Sequence, residues 1–373
     1  MSSINAGTGI VYTNDGSGTL DLQGGGTTAI SVNANGPYLK TVSNTNTITG
    51  TTGMLVYNTN VNGLSGYTGS YWETITFALS GTTKAIFGYG TTLQGNPGLS
   101  MTNLVSNTGV VGADVTGVGT GRTFLAASSY GGDKAIFGYG ITTSGGSILS
   151  TTNLVSNTGV VGADVTGVGT ARYGLAASSY GTTGQAIFGY GTTGTVTAIT
   201  NLVSNAGVVA TDTTGVGTAR QILAAAGYGG DKAIFGYGYN GTSAVSMTNL
   251  VSNTGVVGAD VTGVGTARYG PAATGYGGDK AIFGYGYTTT AVSMTNLVSN
   301  TGVVGSDVTG VGTARQYLAA SGYGGDKAIF GYGFTSVAVS MTNLVSNTGV
   351  VGTDVTGVGT ARQTLAAAGY STT

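Results

Sequence analysis

The sequence predicts an all-β chain assembled from one repeated four-stranded unit, and three observations carry that expectation. Of 373 residues, 72 are Gly and 22 are Tyr, Thr and Val are abundant, and Glu73 is the single glutamate. Helix formers are therefore scarce, while β-branched and aromatic residues set between glycine turns favour short strands. The string AIFGYG starts at Ala85, Ala135, Ala186, Ala233, Ala281 and Ala328, and TNLVSN starts at Thr102, Thr152, Thr200, Thr248, Thr295 and Thr342. Finally, each unit ends on an arginine (Arg122, Arg172, Arg220, Arg268, Arg315 and Arg362), 47 to 50 residues from the next.

Within a unit the strands run in the order A (GLAASSYG), B (KAIFGYG), C (SMTNLVS) and D (GVVGADVTG). Strand A consists of Ala, Ser and Gly, which suits an innermost strand where neighbouring units converge and leave room only for small side chains. Strands C and D are joined by SNTG, or SNAG in the third copy, with the Asn and Gly of a tight hairpin. The TNLVSN threonine always precedes its arginine by 20 residues, and each of the first five arginines precedes the next AIFGYG phenylalanine by 15 or 16. The step from that phenylalanine to the following TNLVSN varies from 12 to 15. All the length slack thus falls between B and C, which marks a surface loop. Four antiparallel strands every 47 to 51 residues match a β-propeller blade. A parallel β-helix takes a shorter rung, and a helical repeat would need a periodicity that is missing.

The ends suggest how the ring closes. The last segment, TARQTLAAAGYSTT, carries an A strand with no B, C or D after it. Near the start, LVYNTNVNGLSGYTGSYW (Leu55 to Trp72) aligns with LVSNTGVVGADVTGVGTAR (Leu104 to Arg122), and PYLKTVS from Pro37 could supply a B strand. The expected organisation is an arm over residues 1–36 and a propeller over 37–373. Its repeats lie near 73–122, 123–172, 173–220, 221–268, 269–315 and 316–362, with a composite seventh blade from 37–72 and 363–373. Six blades with a loose tail is the alternative.

The order arginine, small-residue strand, glycine-rich strand and NT turn resembles the kelch repeat over about 300 residues. It departs from that pattern in spreading the double glycine into GYG and in lacking the Trp after NT. The resemblance implies a bladed propeller and leaves function open, since one fold hosts many functions. The segments GSGTLDLQGGGTTAISVNANG (Gly16 to Gly36) and GMLVYNTNVNGLSGYTGSYWETI (Gly53 to Ile75) resemble segments of tail-fibre and other structural proteins of tailed bacteriophages. That resemblance implies a place on a virion, assembly partners met through the N-terminal arm, and a homo-oligomer among the possible states.

Composition excludes several classes. There is no His and no Cys, so the usual general base, thiolate chemistry and the commonest nitrogen ligand for metals are absent, and no cofactor or metal is expected. Twelve basic residues against thirteen acidic ones leave a net charge of -1 and no nucleic-acid footprint. No apolar run approaches a membrane span, so membrane insertion is not expected, and no secretory signal opens the chain.

Asp114, Asp164, Asp212, Asp260, Asp307 and Asp354 each stand eight residues before their arginine, and are expected to pair with the arginines as clasps between blades. The Asp-Lys turns (Asp133/Lys134, Asp231/Lys232, Asp279/Lys280, Asp326/Lys327) are expected to be solvated, and the GYG tyrosines to pack between blades rather than to form a sugar-stacking ring. Equivalent aspartates in equivalent sites do not make an acid–base pair, so catalysis is not expected. What varies between copies is the B–C loop and the two residues after each arginine. A propeller places both on one face. The candidate binding residues there are Phe124, Tyr173, Gln221, Tyr269, Gln316, Tyr317, Gln363, Gln94, Asn96, Tyr239, Asn240 and Tyr287. The expected function is adhesive: a virion protein whose propeller binds a host-surface glycan or protein, or another virion protein. A cellular protein-interaction scaffold is the alternative.

Overall fold

The structure, a computed structural model, describes residues 83–370 apart from Gln94 and Ser144, together with seven strands between residues 20 and 75. The chain divides into two units, Met1–Ala78 and Leu79–Thr373. In the first, β1 (Leu20–Gly24), β2 (Thr27–Asn33) and β3 (Gly36–Leu39) form one antiparallel sheet. A second sheet is ordered β4 (Thr41–Val42), β5 (Leu55–Asn58), β6 (Gly63–Tyr67), β7 (Trp72–Ile75), with β4 parallel to β5. β3 pairs with β2, while β4 to β7 pair with one another. The boundary expected after residue 36 lies at Ala78 instead, and the composite seventh blade does not form.

Among its described residues the second unit shows six blades. The first combines β8 (Lys84–Gly88), β9 (Thr102–Val105) and β10 (Val111–Val115) with the last strand of the chain, β26 (Ala366–Tyr370). The others are β11 (Ala126–Tyr130), β12 (Lys134–Ile141), β13 (Ile148–Val155); β14 (Ala176–Tyr180), β15 (Gln185–Gly189), β16 (Thr200–Val203); β17 (Ala224–Tyr228), β18 (Lys232–Gly236), β19 (Thr248–Val251); β20 (Ala272–Tyr276), β21 (Lys280–Gly284), β22 (Thr295–Val298); and β23 (Ala319–Tyr323), β24 (Lys327–Gly331), β25 (Thr342–Val345). The predicted order A–B–C, from the axis outward, holds in every blade. The D segments follow at the rim, joined to strand C by bridges such as Val161 to Val155 and Val165 to Thr152.

The chain's last strand is not a loose tail. β26 pairs antiparallel with β8 from Ala366–Gly88 to Tyr370–Lys84, so the C terminus supplies the A strand that the first copy lacks. The A strands touch in the circuit β11, β14, β17, β20, β23, β26 and back to β11. Six blades close the ring.

The core lies between blades rather than within them. Strand B is buried on both faces, and six clusters each join two neighbouring blades. At each interface the GYG tyrosine of one blade packs on the AIFGYG phenylalanine of the next: Tyr139 on Phe188 at 5.1 Å, and Tyr332 on Phe87 at 5.1 Å across the closure. Gly138 must be glycine for this approach, because a Cβ there would lie 2.8 Å from the Phe188 ring. The six GYG tyrosines are fully buried, with hydroxyls donating to backbone carbonyls such as Val168. No exposed ring of these tyrosines is available to a sugar.

Candidate functional site

One end of the ring is built from the D–A junctions and the B–C loops. The residue after each arginine bridges the residue after each GYG: Gln363 to Thr91, Thr123 to Ile141, Tyr173 to Thr192, Gln221 to Tyr239, Tyr269 to Tyr287 and Gln316 to Phe334. The variable positions therefore meet on one face.

Inside them, the second residue after each arginine forms a closed backbone circuit. Gly174 N–H donates to the Phe124 carbonyl (2.8 Å), Ile222 to Gly174 (2.6 Å), Gly270 to Ile222 (2.9 Å) and Tyr317 to Gly270 (3.0 Å). Thr364 then donates to Tyr317 (2.9 Å) and Phe124 to Thr364 (2.9 Å), which completes the belt. All six residues adopt positive φ, from 53 to 65°. Gly174 and Gly270 do so freely. Phe124, Ile222, Tyr317 and Thr364 each carry a strain of about 1–2 kcal/mol that a glycine would relieve.

The side chains on this face form a continuous aromatic crescent. Ring centroids lie 6.1 Å apart for Tyr173–Phe124, 5.5 Å for Phe124–Tyr317, 6.5 Å for Tyr317–Tyr269, 5.9 Å for Tyr269–Tyr239 and 5.3 Å for Tyr269–Tyr287. All six rings are half-buried, each presenting part of its surface to solvent. Burial pushes the Tyr317 hydroxyl up to about 12 and also raises that of Tyr269. A cavity of about 90 Å³ opens at one end of the crescent, among Thr91, Asn96, Thr123, Phe124, Ile141, Tyr173, Tyr317, Gln363 and Thr364. Among the described residues, its lining contains no carboxylate, amine or guanidinium.

Of the sequence-derived candidates, Phe124, Tyr173, Tyr239, Tyr269, Tyr287 and Tyr317 form the crescent. Gln316 and Gln363 lie on the same face but are buried. Gln221 is half-buried and Asn96 is exposed. Asn240 is used locally, its Oδ1 accepting from the N–H groups of Thr242 and Ser243. Gln94 lies outside the described residues. Thr91, Thr123, Ile141 and Thr364 fall at the variable positions but were not among the named candidates, because a lone threonine or isoleucine there carries no recognition signal of its own.

The opposite end holds an axial cavity of about 440 Å³, lined by Ala, Ser and Gly of the A strands and rimmed by Asp231, Lys232, Lys280, Asp326 and Lys327. Each Asp-Lys turn forms its own ion pair at 2.6–2.9 Å with a well-exposed lysine.

The arginines and aspartates meet between blades. Arg122, Arg220, Arg268, Arg315 and Arg362 each contact the aspartate of the following copy, not the one eight residues before it: Arg268 lies 3.9 Å from Asp307, and Arg362 3.8 Å from Asp114 across the closure. Arg268 is fully buried, stacks 4.1 Å over the Tyr237 ring, and donates to the Tyr285 carbonyl, the Thr266 carbonyl and Asn296 Oδ1. Asp307 in turn accepts from the N–H and hydroxyl of Thr266 and from Asn296. Burial alone would raise the Asp307 carboxyl; Thr266, Asn296 and Arg268 outweigh it and hold it below the ordinary carboxylate range. The pair fastens the junction arriving from one blade onto the outer strand of the next. It is a structural clasp.

No protein-family model and no curated protein matches the sequence. The structure matches solved ones, among them that of YjhT, with a TM-score of 0.50 and 10% identity over 70% of this chain and 94% of that one. The fold is a β-propeller. At that identity the likeness establishes architecture alone, and the face described above must speak for itself. Among the described residues of this propeller no cluster of acidic side chains could hold a metal ion, and no helix is long and apolar enough to cross a membrane.

Proposed function

We propose that this propeller binds glycans, without catalysis, through the face that carries the B–C loops. The carrying observation is the crescent of six aromatic rings with threonine hydroxyls and side-chain amides beside it. Aromatic faces stack on the C–H faces of sugars, while hydroxyls and amides match their hydroxyl groups. The absence of charge in the cavity lining favours neutral sugars. Glycoside hydrolysis takes two carboxyl groups about the scissile bond, and none lines this cavity, which supports binding over hydrolysis. A glycan-array screen of the full chain should give hits that weaken at least tenfold in Tyr269→Thr, which cuts the crescent at its middle. A threonine already occupies the equivalent position at Thr123. Undiminished binding by that variant would eliminate the crescent as the recognition surface.

The finer reading places the propeller on a tailed-bacteriophage particle, held by its N-terminal segment and meeting a host-surface glycan. Its support is the resemblance of residues 16–36 and 53–75 to tail-fibre segments. Particles assembled with a chain lacking residues 1–36 should lose this protein. Normal incorporation would refute the anchoring role of that segment; absence of the full-length chain from particles would leave the cellular scaffold reading in its place.

A further inference from the structure

Six blades of one sequence could present six equivalent sites, yet three independent asymmetries fall on the same sector. The B–C loops of the first two blades are the longest, with 11 residues between GYG and TNLVSN where the others have 8 or 9. These two loops are tied together, Gly98 N–H donating to the Thr142 carbonyl (2.7 Å) and the Thr143 hydroxyl to the Gly95 carbonyl (3.2 Å). The 90 Å³ cavity lies beside them. Three of the four strained, non-glycine members of the axial belt, Phe124, Tyr317 and Thr364, line this cavity, whereas Gly174 and Gly270 do not. Strain retained where two sister positions show that glycine serves the fold is strain kept for another purpose.

We propose that the chain has a single saccharide seat, off the propeller axis between the first two blades. Phe124 and Tyr317 form its stacking floor, Tyr173 one wall, and Thr123, Thr364 and Gln363 its polar edge. This inference rests on the glycan-binding reading and narrows it. A cavity this small, open and uncharged seats part of one neutral sugar unit, so a longer glycan engages by a terminal or branching residue and lies along the crescent. Phe124 and Tyr317 set specificity, and the fold does not need their side chains.

The test uses the full chain and a panel of methyl hexopyranosides and methyl N-acetylhexosaminides, followed by saturation-transfer NMR and calorimetry. One probe should saturate at one equivalent per chain. Phe124→Gly should weaken it at least tenfold while the melting temperature stays level or rises. Tyr173→Thr should weaken it similarly, and serves if the glycine variant folds poorly. Several equivalents per chain, or full affinity in both variants, would overturn the single seat while leaving the binding face intact. A fall in melting temperature in Phe124→Gly of the size expected for a core aromatic would assign that ring to the fold instead. No binding of any probe by the parent chain overturns the glycan reading and this seat with it.

Discussion

A chain ending at Arg362 is expected not to form the ring. Its missing strand, β26, supplies the inner pairing of β8, and Leu365, Ala366, Ala368 and Tyr370 complete the clusters on both sides of the first blade. Two bonds of the axial belt, those into and out of Thr364, go with it. Burial of Leu and Tyr side chains at about 1.5–3 kcal/mol each, with backbone bonds at about 1 kcal/mol net, brings the loss to roughly 5–10 kcal/mol. That matches the entire stability of an ordinary domain, roughly 5–15 kcal/mol. The truncated chain should lose its cooperative thermal transition, and a synthetic peptide of residues 363–373 should restore it, since every partner of β26 is still carried by the chain. A truncated chain that melts like the full one would show that the closure carries no stability.

The strands of each blade were legible because their signals are local: alternation, turn chemistry and a repeat that supplies its own alignment. The closure was not, and the reason is particular. Within residues 55–72, β5 does pair antiparallel with β6, Leu55 opposite Gly66 and Asn58 opposite Gly63. Hairpin formation depends on a dozen neighbouring residues, whereas membership of a blade depends on which distant strand is left unpaired. The unpaired strand was β8, preceded by no small-residue A strand of its own, and only β26 had no B strand following it.

The clasp shows a related limit. An Asp eight residues before an Arg recurs in every copy, so the repeat alone cannot tell whether an arginine meets its own aspartate or the next one. Only the blade geometry, which brings Arg122 to Asp164, decides. The variable face was legible as variation on a uniform scaffold, and its aromatic members could be named. The belt beneath it was hidden, because two glycines in six positions, Gly174 and Gly270, do not announce a left-handed backbone at Phe124, Ile222, Tyr317 and Thr364.

Replacing Arg315 by Ala should cost about 3–5 kcal/mol, the range for breaking a buried ionic network by removing one partner. Arg315 is fully buried over the Tyr285 ring at 4.3 Å and donates to the Tyr332 carbonyl, the Thr313 carbonyl and Asn343 Oδ1. Alanine leaves these acceptors without donors and opens a cavity between two blades. Lysine should rescue little, because a single ammonium cannot reproduce a planar fork that bonds three separate acceptors while lying on a ring. The six-fold repeat supplies an internal control. At Arg172 the Nη2 group has no hydrogen-bond partner and Asn201 Oδ1, its counterpart, has none either. Arg172→Ala therefore removes one bond fewer and should cost less than Arg315→Ala, by about 1 kcal/mol or more. Urea unfolding of the two variants measures the difference directly as a shift in midpoint at constant slope. Equal costs would mean that cavity and ring stacking dominate the clasp, and that the arginine–asparagine bond contributes nothing to holding the blades together.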